Sequence, residues 1–159
     1  MSQSAQPYLG EVLIRHGVLS PERLDALVAT QRERGGVVDL RELVVATNAA
    51  DEAAVAQALA AEAVVPYLPR IDVEAVPTAV AIRLPISYAK QHRVLALDEG
   101  EASVRVVLAD PFDVAAVDDV RALFGKPVEA FVAGGSAVVD AINRVYERAD
   151  QGGGELQGE

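Results

Sequence analysis

Residues 9–31 read LGEVLIRHGVLSPERLDALVATQ, and residues 40–62 read LRELVVATNAADEAAVAQALAAE, which is the same pattern 31 positions later. Gly17 in the first copy corresponds to Asn48 in the second. Both residue types readily adopt the left-handed conformation that ends a helix. Each copy therefore predicts a helix that stops at this position.

In each copy, the N-cap of a second helix is predicted three residues after the end of the first helix. Ser20 and Asp51 are both strong N-caps, because their side chains accept hydrogen bonds from backbone N–H groups. The helices that follow carry apolar residues three and four positions apart, so each helix has a single apolar stripe. The stripe residues are Leu24, Leu27 and Val28 in the first copy and Val55 and Leu59 in the second. Neither helical hairpin can bury its stripe alone, so residues 8–64 are predicted to form a four-helix subdomain of two stacked tandem hairpins.

A second subdomain is predicted after the repeat. Residues 65–72 are interpreted as a linker, because Pro66 and Pro69 prevent a helix from continuing. Residues 73–148 combine short helical patterns with about three β-rich runs, which predicts a small sheet covered by helices. Residues 149–159 are expected to be a flexible acidic tail. The predicted fold class is α+β.

The boundaries of the elements in this second subdomain follow from turn and cap residues. Residues 94–97 and 103–108 predict a β-hairpin, since the polar residues between them include a glycine. A helix is predicted from about Asp113 to Phe124, ended by Gly125. The remaining predicted elements are a third strand at residues 128–132 and a last helix that Ser136 caps and that ends at about Arg148.

The composition excludes several classes of function. The 159-residue chain has a net charge of −10, which opposes binding to phosphate backbones, so we expect no nucleic-acid partner. It contains no cysteine, and its two histidines, His16 and His92, lack a partner at metal-ligand spacing, so no metal site is predicted. No uncharged apolar stretch is long enough to span a bilayer, and residues 1–7 do not resemble a signal peptide. We therefore expect a cytoplasmic protein that does not insert into a membrane.

The sequence also lacks a recognisable catalytic motif. Gly125-Lys126-Pro127 is the closest approach to a GxxxxGK[ST] phosphate-binding loop, but Val120 replaces the first glycine and Pro127 replaces the hydroxyl residue. The acidic residues Asp113, Asp118 and Asp119 are better explained as a helix N-terminal charge and a solvated face than as paired catalytic carboxylates. The chain is predicted not to be an enzyme.

Residues 134–136, Gly-Gly-Ser, precede the predicted last helix. Backbone N–H groups at a helix N-terminus bind anions, so this turn is one candidate anion site. A plain capped turn is the commoner origin of such a sequence, and we favour it here.

Five fragments of the chain, in order, resemble the N-terminal domain of type II secretion and type IV pilus assembly ATPases. They are Leu9-Gly10-Glu11-Val12-Leu13 with Leu24, Val28 and Gln31, then residues 65–68, 83–89, 107–111 and 143–147. The resemblance implies a helical first subdomain that docks on a membrane-anchored assembly partner at its cytoplasmic side. It also implies an α+β second subdomain that leads into the motor, with the hydrolysis machinery further downstream.

One branch of this family, the MshEN-type domain, binds cyclic di-GMP through two tandem motifs of the form RLGxxL…L…L..Q. The first copy resembles this motif, but Tyr8 stands in place of its arginine. In the second copy Asp39 replaces the arginine, Arg41 the glycine and Glu62 the glutamine. Acidic side chains repel a dianionic ligand. The resemblance therefore implies a cyclic di-GMP site only as an alternative, made by Leu9, Gly10, Leu13, Leu24, Val28 and Gln31.

The leading hypothesis is a non-catalytic docking or regulatory domain of a bacterial secretion or pilus assembly ATPase. Its expected partner is the cytoplasmic part of an inner-membrane assembly protein, or the downstream ATPase core. Two alternatives are a cyclic di-GMP sensor and a stand-alone adaptor in a motility or secretion system. The expected contact surface is the charged flank of the first hairpin, made by Glu11, Arg15, Arg23, Arg32 and Arg34.

Overall fold

The computed structural model describes residues 2–36, 43, 44, 46 and 51–157. Helix α1 spans Ser2–Arg15, and Gly17 follows it in the left-handed conformation at φ +72°. Helix α2 spans Pro21–Glu33 and begins after Ser20, whose Oγ accepts a hydrogen bond from the Arg23 N–H at 3.2 Å. The order of helix, stop, cap and helix predicted for the first copy is confirmed.

The second copy is described in part. Helix α3 spans Glu52–Ala63, and Asp51 occupies its N-cap position. The Asp51 side chain, however, does not make the capping hydrogen bond that was predicted for it. Of the predicted third helix, residues 43, 44 and 46 are helical, and Asn48 lies outside the described residues. Side chains from both copies share one core, as stacked hairpins require. Its buried members are Leu9, Val12, Leu13, Leu19, Leu27, Leu43, Val44, Val55, Ala58 and Leu59.

A mixed sheet of three strands forms the centre of the second half of the chain. Strands β1 (Val94–Glu99) and β2 (Val104–Leu108) form the predicted antiparallel hairpin, and β3 (Val128–Val132) lies parallel to β2. The helices of this half are α4 (Thr78–Ala81), α5 (Ile86–His92), α6 (Val114–Phe124) and α7 (Gly135–Gln157), with a 3₁₀ turn at Val73–Ala75. The predicted α+β fold class is confirmed.

Helix α6 makes the crossover between the two parallel strands, which cannot be joined by a tight turn. The Asp113 carboxylate caps it by accepting a hydrogen bond from the Ala116 N–H at 3.1 Å. Gly125 ends it in the left-handed conformation at φ +66°. The bounds predicted from these two cap residues are confirmed.

Helices cover both faces of the sheet. Val107 and Leu95 face α7 and share a core with Ile142, whereas Val106 faces α6 and shares a core with Val120. Successive side chains of a strand point to opposite faces, so a sheet buried on both faces needs apolar residues at consecutive positions. This explains the near-continuous apolar run of β2.

The segment interpreted as a linker lies along the sheet. Tyr67 forms a parallel β-bridge with Val132, at the edge of β3 that does not face β2. The Leu68 N–H donates to the Val132 carbonyl at 2.7 Å, and the Val132 N–H donates to the Pro66 carbonyl at 2.9 Å. Ala56 and Ala60 of α3 also pack against Val132 of β3, so the helical half of the chain (residues 8–64) and the sheet half (residues 65–157) are in direct contact.

Helix α7 differs from the prediction at both ends. It begins at Gly135, and the Ser136 hydroxyl donates a hydrogen bond to Glu52 instead of capping its own helix. It continues to Gln157 through most of the segment expected to be a flexible tail, although three consecutive glycines there disfavour a helix. Within the described ranges, no helix is long and apolar enough to cross a membrane.

Candidate functional site

The six residues predicted to bind a ligand lie together on the first hairpin, but mostly inside it. Leu9 and Leu13 are buried in the shared core of the helical half, and Leu24 packs against that core from its edge. Val28 and Gln31 are half-buried on α2. The apolar part of the motif therefore holds α1 against α2.

Gly10 has a packing role in the same place. A Cβ atom added to Gly10 would lie 2.8 Å from Cδ2 of Leu24 and 2.9 Å from Cδ1. The absence of a side chain thus lets α2 approach α1, and the Leu24 side chain covers the backbone that the glycine leaves open. The resemblance implied Gly10 as one residue of a cyclic di-GMP site, and its contact with Leu24 is a packing role beside that assignment.

The five residues predicted to contact a partner are all exposed on the first hairpin. Arg23 lies in the first turn of α2, and Arg32 and Arg34 lie at its C-terminal end. Glu11 lies on α1. Arg15 differs from the others, because its guanidinium donates to Glu62 of α3 at 2.5 Å while half of its side chain stays exposed.

Glu62 is the residue that replaces a motif glutamine in the second copy, and it connects the two copies. Its second carboxylate oxygen lies 3.1 Å from Nε2 of His16. One carboxylate of α3 therefore contacts two basic side chains at the C-terminal end of α1. The sequence offered no signal for this cluster, because its members lie 46 and 47 residues apart.

Two of the acidic residues weighed as catalytic carboxylates join α5 to α6, whereas Asp118 pairs with Arg121 on its own helix. Asp113, besides capping α6, lies 2.9 Å from Nδ1 of His92. Asp119 accepts a hydrogen bond from the Tyr88 hydroxyl at 2.5 Å, and the Tyr88 ring stacks on His92. Burial, followed by the hydrogen bond to Asp119, raises the pKa of Tyr88 well above its usual range. Among the described residues, no group of three or more acidic or histidine side chains could hold a metal ion.

Residues 134–136 do hold an anion, and it is the chain's own Glu52. Its Oε1 accepts a hydrogen bond from the Ser136 N–H at 3.0 Å, and its Oε2 accepts one from the Ser136 hydroxyl at 2.9 Å. The plain capped turn favoured from the sequence is therefore wrong. The acceptor comes from α3, 84 residues earlier, so no local pattern could reveal it.

Comparison with known proteins matches most of the chain. The model of the MshEN domain family matches residues 63–152. The type IV pilus assembly ATPase PilB of Myxococcus xanthus is 28% identical over 138 residues, covering 87% of this chain and 24% of that protein. The PilB of Thermus thermophilus is 31% identical over 140 residues, covering 87% of this chain and 15% of that protein. This chain thus spans about a quarter or less of the length of these relatives.

Solved structures of similar fold come from the same group of proteins. A structure of MshE with cyclic di-GMP has a TM-score of 0.67 and 23% identity, covering 87% of this chain and 98% of that one. A structure of the N-terminal domain of XpsE has a TM-score of 0.59 and 22% identity, covering 86% of this chain and 92% of that one. At these identities the likeness establishes the fold.

Proposed function

This chain belongs to the MshEN domain family, and from that membership we propose that it is a non-catalytic docking domain of a type IV pilus or type II secretion ATPase. The proposed partner is the cytoplasmic part of an inner-membrane assembly protein. The chain resembles an N-terminal domain of such ATPases and not their catalytic core. In this proposal it positions the motor and does not hydrolyse nucleotide.

The observation that carries the proposal is the arrangement of the first hairpin. Its apolar residues are used internally, and the close contact of Gly10 with Leu24 fixes α1 against α2. Its arginines at positions 23, 32 and 34 are exposed on α2, in a chain whose net charge is −10. A rigid helix pair that presents separated cations suits an acidic protein surface, because complementary charges steer association and fix register.

Arg15 is assigned a structural role in this proposal. About half of its side chain is exposed, but its ion pair with Glu62 already holds it to α3. We therefore assign the main contact to Arg23, Arg32 and Arg34. The solubilising role that isolated surface charges usually have is the alternative that the experiment must exclude.

The test is binding of the purified chain to the cytoplasmic domain of the inner-membrane assembly protein from the same organism, measured by biolayer interferometry. Replacing Arg23, Arg32 and Arg34 together by Glu is expected to weaken binding at least about tenfold, mostly through a slower association rate. Replacing Arg105, Arg121 and Arg144 together by Glu is the matched control, because these exposed arginines of the sheet half give the same change of net charge away from the first hairpin. No binding by the parent chain, or equal binding by the triple variant of the first hairpin, would overturn the proposal.

A cyclic di-GMP sensor is the second candidate, favoured by the likeness to MshE solved with that ligand. The first copy retains Gly10 and Gln31 of the motif, whereas Glu62 in the second copy contacts Arg15 and His16. Calorimetric titration with cyclic di-GMP tests this candidate directly. Heat of binding that is present in the parent chain and absent in Gln31→Ala would support this candidate. A flat titration of the parent chain at high micromolar concentration would reject it.

A further inference from the structure

Glu52 connects the helical half of the chain to the sheet half. It is the first residue of α3, and its carboxylate lies at the N-terminus of α7, where both of its oxygens accept hydrogen bonds from Ser136. A carboxylate at this position is favoured twice, because the N-termini of both α3 and α7 carry partial positive charge. Hydrogen bonds from neutral donors to an ionised acceptor are also stronger than those between neutral groups.

The two glycines before Ser136 leave room for this contact. A Cβ atom on Gly134 would lie 2.8 Å from Oε1 of Glu52, and one on Gly135 would lie 3.4 Å from Nη1 of Arg93. Neither glycine has a positive φ, so it is the space beside Glu52 and not backbone conformation that restricts the side chain at Gly134. Any side chain at Gly134 would displace the Glu52 carboxylate.

Among the residues that the structure describes, the apolar contact beside Glu52 is made mainly by small side chains. Ala56 and Ala60 of α3 pack against Val132 of β3, with Val65 and Tyr67 at the edge. Alanine side chains bury little surface, so this contact contributes less to the free energy of docking than a cluster of larger residues would. Glu52 is therefore well placed to set the orientation of α3 on the sheet half.

We propose that the Glu52 carboxylate is a latch: its docking on Gly134, Gly135 and Ser136 holds the two halves in one orientation, and its release frees residues 64–72 to act as a hinge. Pro66 and Leu68 in this segment share two backbone hydrogen bonds with Val132, and Phe112 of the sheet half packs against the helical core. Apolar packing is non-directional, so the directed hydrogen bonds of Glu52 set the angle that these contacts leave open. The device is independent of which partner the helical half binds. It makes the position of α7 depend on the position of α3.

The orientation of the halves can be measured with two spin labels. The chain has no cysteine, so Ala26→Cys on α2 and Asn143→Cys on α7, both at exposed positions, give a uniquely labelled parent. Double electron–electron resonance should give a narrow distance distribution in this parent. It should broaden in Glu52→Ala, whereas Glu22→Gln, which removes an acidic charge from the first turn of α2, should leave it unchanged.

Tryptic cleavage after Arg70 provides a second measurement of hinge opening, since Arg70 is exposed and lies within residues 64–72. Glu52→Ala should be cleaved there about tenfold faster than the parent, because loss of charge-assisted hydrogen bonds raises the population of the open state. Ser136→Ala keeps the backbone donor and should show a smaller increase. Far-UV circular dichroism verifies that each variant remains folded.

A double variant makes the proposal falsifiable even if Glu52→Ala is itself poorly stable. Gly134→Ala should open the hinge in the parent, because the new Cβ collides with Oε1 of Glu52. In the Glu52→Ala background the same change should add nothing, since the colliding atom is gone. Unchanged distances and cleavage in Glu52→Ala, or equal effects of Gly134→Ala in both backgrounds, would overturn the latch.

Discussion

Gly10 of α1 and Leu24 of α2 approach so closely that a methyl group on Gly10 would lie 2.8 Å from Cδ2 of Leu24. Gly10→Ala must therefore displace the Leu24 side chain from its place at the edge of the core. Overpacking lowers the free energy of unfolding by about 1–3 kcal/mol, and alanine in place of glycine in a helix raises it by about 1 kcal/mol. We expect Gly10→Ala to lower the free energy of unfolding by about 1 kcal/mol, measured by urea denaturation.

In a control background, the effect of Gly10→Ala on the free energy of unfolding is expected to have the opposite sign. Leu24→Ala removes both δ carbons, so a methyl group on Gly10 meets no obstacle in that background. Gly10→Ala should then raise the free energy of unfolding by about 1 kcal/mol, because only the helix propensity remains. The same sign in both backgrounds would show that the helix contact does not depend on Gly10.

Tyr146 should contribute to stability through its hydroxyl group. It is a buried residue of α7, and its hydroxyl oxygen lies 2.7 Å from the carbonyl oxygens of Ala81 and Leu84, which share its one O–H proton. Tyr146→Phe leaves these carbonyls without that donor and should lower the free energy of unfolding by about 1–2 kcal/mol. Tyr67→Phe is the matched control, because no described residue bonds its hydroxyl, and it should be nearly neutral in the same urea denaturation. Equal losses in both variants would contradict this role.

The same tyrosine should make stability fall at alkaline pH. Burial raises the pKa of Tyr146 from 10.0 to about 12, so the folded chain retains a proton that the unfolded chain has lost. The stabilisation is complete below about pH 10 and is lost as the pH rises towards about 12. Urea midpoints measured across this range should fall less steeply in Tyr146→Phe than in the parent. Parallel declines would assign the effect to other groups, such as Tyr88, whose pKa is raised in the same direction.

The elements that could be predicted from the sequence are those that local residues determine. Ser20, Asp113 and Gly125 each act on neighbouring backbone groups, so the starts and ends of their helices follow from residue type. The bounds of β3 follow in the same way from flanking proline and glycine residues. The stacking of the two repeat copies could be predicted because neither apolar stripe can be buried alone.

The contacts that could not be predicted join residues distant in the sequence. Ser136 was expected to cap α7, but the acceptor at that helix end is Glu52, whose side chain arrives only when the two halves pack. The bridge of Tyr67 with Val132 likewise depends on where α3 ends in space. At the candidate site, the close approach of Leu24 to Gly10 could not be predicted either, because it depends on how α1 and α2 pack.

Val64, at the C-terminal end of α3, should be more stable as glycine. It adopts the left-handed conformation at φ +58° and ψ 47°, and its side chain is 89% exposed. A β-branched residue is strained by about 1–2 kcal/mol in this conformation, whereas glycine adopts it without steric cost, although the greater freedom of glycine in the unfolded chain offsets part of the gain. We expect Val64→Gly to raise the free energy of unfolding by about 1 kcal/mol in urea denaturation. The matched control is Ala61→Gly, an exposed position with helical geometry three residues earlier, where the same measurement should show a loss of about 1 kcal/mol. A loss at both positions would mean that the left-handed conformation of Val64 carries no strain.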